Sequence, residues 1–283
     1  ISATEGGSPI TGIDGPNGKD YDVGHGTVTV HEDGRITYAP NPDYSNHGSP
    51  DDFYVTVAED DGTSRTIEVT VNVIPVADAP ELTVDSNSAT TNEDEAIGLG
   101  LNAPKTNDDT DQNGSGTAGD NPERLGPITL SGFPAGAQLL DGTDSDSPLH
   151  TFDGTGSVTI IISDNTDGPH FNGASGTLTL TTAQYEALKV LPPAESSANF
   201  TVDVSVTSYE VDESGKRLTT DVNGNPIDGA ESTISVTVNV QAVTDPVELT
   251  FNDGTGSRSL TMNEDATYNL KDLLVVDYPD DDG

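Results

Sequence analysis

The sequence predicts an all-β protein built as tandem β-sandwich domains arranged end to end. Three observations carry that reading. Short runs alternate valine with polar residues, as in Val69-Thr-Val-Asn-Val73 and Val236-Thr-Val-Asn-Val240, a period of two that turns one strand face into a core. Those runs are copies of each other: residues 67–83 read IEVTVNVIPVADAPELT and residues 234–250 read ISVTVNVQAVTDPVELT. Internal repetition of that length marks a tandem array. Third, 30 glycines and 18 prolines supply frequent turns between the apolar runs.

Each copy is followed by a second match, TTNED at 90–94 and TMNED at 261–265. The valine run closes one sandwich, and Glu81-Leu-Thr-Val or Glu248-Leu-Thr-Phe opens the next. Linkers this short hold neighbouring domains end to end as a rod. Three units follow. Residues 1–77 form a partial sandwich expected to lack its opening strands and to start near Ile10. Residues 78–244 form a complete, enlarged sandwich, and residues 245–283 supply the opening strands of a further one.

In the first unit, residues 26–57 are expected to hold a hairpin turning at Asp33-Gly34, followed by a closing pair at 53–57 and 66–73. In the middle unit, strands are predicted at 81–85, 95–101, 127–132, 157–163, 176–181, 198–208 and 231–241. A short helical turn is predicted at Thr182–Leu188 with Thr182 as its cap. Residues 247–283 followed by 1–75 make about one whole repeat, so the partial units are expected to complement each other between molecules.

Charge narrows the partners. Forty-nine Asp and Glu against 10 Lys and Arg give a formal net charge of −39. That balance offers no cationic footprint for nucleic acid or for an anionic membrane. No apolar stretch approaches the roughly 20 residues that cross a bilayer, so neither nucleic-acid binding nor membrane insertion is expected. Hydrophobic residues make up 31% and aromatics 5%, which suits several thin cores better than one large one. There are no cysteines; outside cells, a fold without disulfides commonly uses calcium as its staple.

The run G-T-V-T-V…D-G-R-I-T-Y-A-P-N-P-D-Y…D-x-F-Y-V-T-V-A-E-D-D-G in the first unit resembles the cadherin-like and Ig-like repeats of large calcium-dependent bacterial adhesins. The middle unit's I-T-L-S-G-F-P-A-G-A (128–137), L-T-T-A-Q-Y-E-A-L-K-V-L-P-P (180–193) and S-S-A-N-F-T-V-D-V-S-V-T (196–207) resemble another repeat of the same kind. The resemblance covers nearly the whole chain and implies a tandem cadherin-like/Ig-like region of an RTX-type biofilm or ice-binding adhesin. It further implies secretion to the bacterial cell surface by the type I route, with neighbouring repeats as partners. No G-G-x-G-x-D-x-U-x nonapeptide occurs in the chain.

Acids concentrate in loops between strands, which is where Ca2+ would gather six to eight oxygens from several segments. With early and late strands running up and down, one pole of the middle unit collects Asp78, Asp108, Asp109, Asp111, Asn113, Asp120, Glu210, Asp212 and Glu213. The other collects Glu93, Asp94 and Asp245. The third unit repeats the scheme with Glu264 and Asp265, then Asp277, Asp280 and Asp281, and the first unit adds Asp60 and Asp61 of its E-D-D-G turn. Asp109-Thr-Asp-Gln-Asn-Gly114 fits the opening of an EF-hand-like loop, with Asp120 near the closing position. A solvated acidic loop gives the same letters, and an Asn-Asp turn with self-bonding side chains accounts equally for the N-E-D repeats. Asp141, Asp144, Asp146 and Asp164 are read as surface turns.

No enzyme is expected. The five histidines are scattered, no H-E-x-x-H or cysteine completes a zinc site, and no nucleophile elbow, P-loop or dinucleotide fingerprint occurs. The function these features point to is a calcium-rigidified extender or module-holding segment of an adhesin. The alternative is a module whose middle-unit loops bind a host or surface glycan or peptide.

Overall fold

The computed structural model describes residues 2–5, 8–10, 13–15, 18–42, 44–47, 50–58, 62–106, 123–154, 156–165, 176–212, 214–244, 248–252, 254, 259 and 261–277. They form an all-β chain whose sheets sort along the sequence into three sets, with no ladder joining one set to another.

The first set pairs two four-stranded sheets. One holds β1 (Ser2–Glu5), β2 (Ser8–Ile10), β7 (Asp51–Ala58) and β8 (Ser64–Val71) in the order β2-β1-β7-β8. The other runs β3-β4-β5-β6, from β3 (Ile13–Gly15) through β4 (Gly18–Asp22) and β5 (Gly26–His31) to β6 (Ile36–Pro40). Tyr21, Val23, Val28, Phe53 and Val55 form a small core. The Asp33-Gly34 hairpin forms as read: Gly34 takes φ +85° and Asp33 Oδ1 accepts the N–H of Arg35 at 3.0 Å. One expectation is corrected. Strand structure begins well before Ile10, because β1 pairs antiparallel with β7.

The middle set is the larger sandwich. Its main sheet runs β16-β15-β12-β18-β19-β9: β16 (Leu178–Leu180), β15 (Gly156–Ile162), β12 (Ile128–Phe133), β18 (Phe200–Glu210), β19 (Ala230–Gln241) and β9 (Ser88–Asn92). The short β11 (Glu123–Leu125) also pairs with β18. The facing sheet is β10 (Ile97–Gly98), β17 (Leu188–Leu191), β13 (Gln138–Asp141) and β14 (Ser147–Thr151). Alternation is clean where it counts: Val202, Val204, Val206, Val236 and Val238 are almost fully buried. Phe133 and Phe152 stack at 4.2 Å between ring centroids. Burial of each such side chain stabilises by about 1.5–3 kcal/mol.

Several predicted elements are shorter or different. Residues 81–85 form only isolated bridges, Glu81 to Lys105 and Val84 to Leu101, although Leu82 and Val84 pack on the core. Of 95–101, only Ile97–Gly98 is strand. The helix α1 spans Thr182–Glu186 and is capped by Thr181, not Thr182: Thr181 accepts from the Gln184 N–H, and the Gln184 side chain reaches back to the Thr181 N–H. In the third set, β20 (Glu248–Phe251) pairs antiparallel with β21 (Leu274–Asp277).

Candidate functional site

The main sheet carries two glutamates to the two places where the chain enters and leaves the middle sandwich. At the exit, β9 lies parallel to β19, with Asn92 opposite Gln241. The next residue, Glu93, donates its N–H to the Gln241 carbonyl at 3.0 Å. Asp94 then turns the chain with φ 58°, and Thr91 Oγ1 donates to the Glu95 carbonyl at 2.9 Å. This tight turn folds the Glu93 side chain inward until it is 4% exposed. Its Oε1 accepts the N–H of Val243, in the segment leaving β19. Its Oε2 is buried without a hydrogen-bond partner among the described residues.

At the entrance, β11 pairs antiparallel with β18 and sets Glu123 opposite Glu210. Both are buried, at 3% and 5% exposure. Glu123 Oε1 accepts the N–H of Asp78, and the Asp78 carbonyl accepts from the Ser208 hydroxyl. Ser232 Oγ donates to the Pro80 carbonyl at 2.7 Å. Each linker therefore has a backbone N–H held by a buried glutamate. Two carboxylates facing each other across a strand pair repel unless a cation or protons offset them.

The other predicted ligands are distributed as follows. The Asp78 side chain is exposed, and the linker is held there by its backbone. Asp94 Oδ1 accepts from the Glu195 N–H at 3.3 Å. Asp212 Oδ1 is engaged by the Ser214 hydroxyl and by the N–H groups of Ser214 and Lys216, at 2.5 to 3.0 Å. The Ser214 hydroxyl leads in holding its carboxyl below the ordinary value. Glu264 and Asp265 are exposed, and Asp265 repeats the left-handed turn at φ 60°. Asp277 belongs to β21 by its backbone. Asp60, Asp61, Asp108, Asp109, Asp111, Asn113, Asp120, Glu213, Asp245, Asp280 and Asp281 lie outside the described residues.

Among the described residues, no three acids or histidines converge as a metal-holding group. Calcium takes six to eight oxygens. Glu123 and Glu210 supply carboxylates of the right chemistry at one pole and Glu93 at the other.

Glu123 was missed in the sequence because Glu-Arg-Leu is too short a strand to show a period. Asp141 corrects a surface reading. It is 4% exposed, takes the Thr143 N–H and hydroxyl on Oδ1, and accepts from Gln184 Nε2 at 2.8 Å, which ties α1 to β13. A polar groove of about 670 Å³ lies between Glu81, Thr83, Asn102 and Lys105 on one side and Asp164 and Glu186 on the other.

Residues 3–73 match the family model of the bacterial Ig domain. The crystal structure of domains 4 and 5 of the S-layer protein SbsC aligns with 84% of this chain and 96% of that one, at 12% identity and a TM-score of 0.21. No curated protein matches the chain.

Proposed function

We propose that this chain is an extending segment of a bacterial cell-surface adhesin, in which sandwich domains are held in line by linkers clamped to buried acids and stiffened by calcium. The observation that carries this is the pair of glutamate clamps. Glu123 accepts from Asp78 where the chain enters the middle sandwich, and Glu93 accepts from Val243 where it leaves. A spacer needs this at its joints, since a linker hydrogen-bonded into the sandwich body cannot swivel freely. The Ig-domain match of the first unit supports a structural, non-catalytic module of the outer surface.

Calcium extends the same logic. Glu123 and Glu210 at one joint, and Glu93 at the other, would contribute oxygens, with loop acids such as Asp109, Asp111 and Asp245 completing the shells. A bound ion would turn like-charge repulsion into attraction and lock each linker. Type I export, a place in biofilm attachment and contact with neighbouring repeats belong to this same reading.

The test is calorimetry and small-angle scattering of the full chain, with calcium and then with excess chelator. The expected result is a fall in melting temperature of many degrees, together with a loosened scattering profile. Unchanged melting and scattering would refute the calcium role.

The polar groove beside α1 favours a second reading, a glycan- or peptide-binding module. Array binding that persists with the groove intact and disappears in Glu186→Ala would establish it; no array signal would dismiss it.

A further inference from the structure

Between β18 and β19 the chain makes two turns of one pattern, Asp212-Glu-Ser-Gly-Lys216 and Asp221-Val-Asn-Gly-Asn225. Each is closed by a bridge, Val211 to Arg217 and Thr220 to Pro226. Their hydrogen bonds correspond. Asp212 donates its N–H to the Lys216 carbonyl at 2.9 Å, its own carbonyl accepts from Gly215 at 2.7 Å, and its Oδ1 takes the N–H groups of Ser214 and Lys216. Asp221 donates to the Asn225 carbonyl at 2.8 Å, its carbonyl accepts from Gly224 at 3.0 Å, and its Oδ1 takes the N–H groups of Asn223 and Asn225. Both glycines are left-handed, with φ 78° at Gly215 and 85° at Gly224. An aspartate that collects backbone N–H groups in this way organises the turn around its own side chain. The chemical difference lies at the third position, Ser214 in one turn and Asn223 in the other.

An asparagine followed by glycine holds an electrophile and a nucleophile in neighbouring residues. The next backbone nitrogen reaches the side-chain amide carbon and closes a five-membered ring, a reaction favoured because both partners are already in place. A side chain on the following residue would crowd that attack. Gly224 has none, and nothing lies within 4 Å of where its Cβ would stand. Asn223, Gly224 and Asn225 are all exposed at the tip of the turn. The bond that occupies the Gly224 N–H, to the Asp221 carbonyl, is at that tip, where local opening costs least. The neighbouring positions lack the same chemistry. Ser214 has no amide carbon to attack, and Asn225 precedes Pro226, whose ring nitrogen carries no proton to lose.

We propose that Asn223 is a site of spontaneous deamidation, which marks the age of the molecule in the turn between β18 and β19. Hydroxide takes the Gly224 amide proton, and the nitrogen forms a bond to the Asn223 Cγ. The Cγ–Nδ2 bond then breaks, and ammonia leaves with a proton from water. Water opens the resulting succinimide at either carbonyl, giving aspartate or isoaspartate. One water is consumed and one ammonia released, with no oxidation or reduction.

Either product sets a second carboxylate beside Asp221, which is 7% exposed. Asn225 leads in holding the Asp221 carboxyl below its ordinary value, and the backbone and side chain of Asn223 contribute. A new charge there replaces a donor by a repelling neighbour. Isoaspartate also carries the main chain through Cγ, which adds a methylene and moves the Gly224 and Asn225 N–H groups out of register with Asp221. The turn is continuous with the entrance joint: Ile227 donates its N–H to the Thr219 carbonyl at 3.0 Å, and Leu218 donates to the carbonyl of Glu210 at 2.9 Å. The modification therefore loosens the segment beside the entrance clamp, with or without a bound cation.

The full chain is incubated in mildly alkaline buffer, and fragment mass spectrometry locates each amide converted to a carboxylate. The expected result is conversion at Asn223 that quickens as pH rises, isoaspartate among the products, and an intact Asn225. Asn223→Ser, which copies the Ser214 turn, is expected to fold as the wild type does and to lose the modification at this position. After equal incubation the wild type is expected to melt about 2–4 °C below Asn223→Ser. An Asn223 that stays intact, conversion no faster there than at Asn225, or a rate indifferent to pH would each overturn the assignment. Equal melting of the two incubated chains would overturn the loosening.

Discussion

The backbone N–H of Val243 donates to the buried Oε1 of Glu93, tying the segment that leaves the middle sandwich to the turn that follows its β9 strand. Glu93→Ala leaves that N–H without its acceptor, and the loss of a hydrogen bond to a charged group costs about 1.5–3 kcal/mol. Glu93→Gln keeps a carbonyl oxygen there and is expected to cost less. Thermal melting of the two variants checks the ordering. Equal losses would mean that the charge, not the hydrogen bond, matters at this joint.

Glu123 and Glu210 stand opposite each other across β11 and β18, and in the calcium reading proposed above this joint would hold an ion. Glu210→Gln is expected to reduce the stabilisation gained on adding calcium while changing the calcium-free melt much less. Paired calorimetric scans with calcium and with chelator separate the two effects. An identical calcium response in wild type and Glu210→Gln would place the ion elsewhere.

Much of the fold was legible because the valine strands obey a strict period of two, and a repeat of seventeen residues marks the closing strands. The strand that fills the edge of β19 was not legible. Ser88-Ala-Thr-Thr-Asn92 has no apolar alternation, since a parallel edge strand is held by its backbone and buries little more than Thr91. Residues 81–85 show the reverse: Leu82 and Val84 alternate and pack on the core, yet the backbone forms only bridges. At the candidate site, Glu93 stood out through the N-E-D repeat, whereas Glu123 lay in three residues without a pattern. Asp141 read as a turn acid because its burial depends on Gln184, distant in sequence, reaching back from α1.

In the first unit, Asp51 gathers three side chains. His25 Nδ1 lies 2.8 Å and the Tyr44 hydroxyl 2.9 Å from its Oδ1, and the Tyr38 hydroxyl lies 3.3 Å from Oδ2. Burial, then the Asp51 charge, pushes Tyr38 up to about 12; burial and the Asp51 hydrogen bond push Tyr44 up as well. A raised folded value means the contribution is complete below the unfolded value of about 10 and is lost as pH climbs toward the folded one. Stability of this unit is therefore expected to fall from about pH 10 upward. Ultraviolet titration should show four of the eight tyrosines ionising late: Tyr38 and Tyr44, together with Tyr54, raised by its hydrogen bond to Glu68, and Tyr185, raised by burial. Asp51→Asn should bring Tyr38 and Tyr44 down, though not to 10, because burial persists.

The acid limb runs the other way. The Thr143 hydroxyl, with the Thr143 N–H and Gln184, holds Asp141 below the ordinary carboxylate value. A depressed folded value gives stability that is present above the unfolded value of about 3.9 and lost as pH falls through the folded one. Asp141→Asn is expected to flatten the loss of melting temperature below about pH 4. A variant with the wild-type acid slope would show that Asp141 contributes nothing to it.

Gly132 and Gly224 separate backbone strain from steric contact. Both adopt left-handed φ, +90° and +85°. Gly224 has nothing within 4 Å of where a Cβ would stand, whereas at Gly132 that Cβ would lie 2.1 Å from the Thr201 carbonyl oxygen. Gly132 sits where the β12–β15 register shifts between Ser131 and Phe133, the irregularity from which Phe133 emerges to stack on Phe152. Gly224→Ala is expected to cost only the left-handed backbone, about 1–2 kcal/mol. Gly132→Ala adds a backbone clash that only movement of β12 away from β18 can relieve, at the expense of the aromatic stack. A loss at least about twice that of Gly224→Ala is expected for it in thermal or denaturant unfolding. Equal losses would show that β12 shifts freely and that the bulge does not position the core.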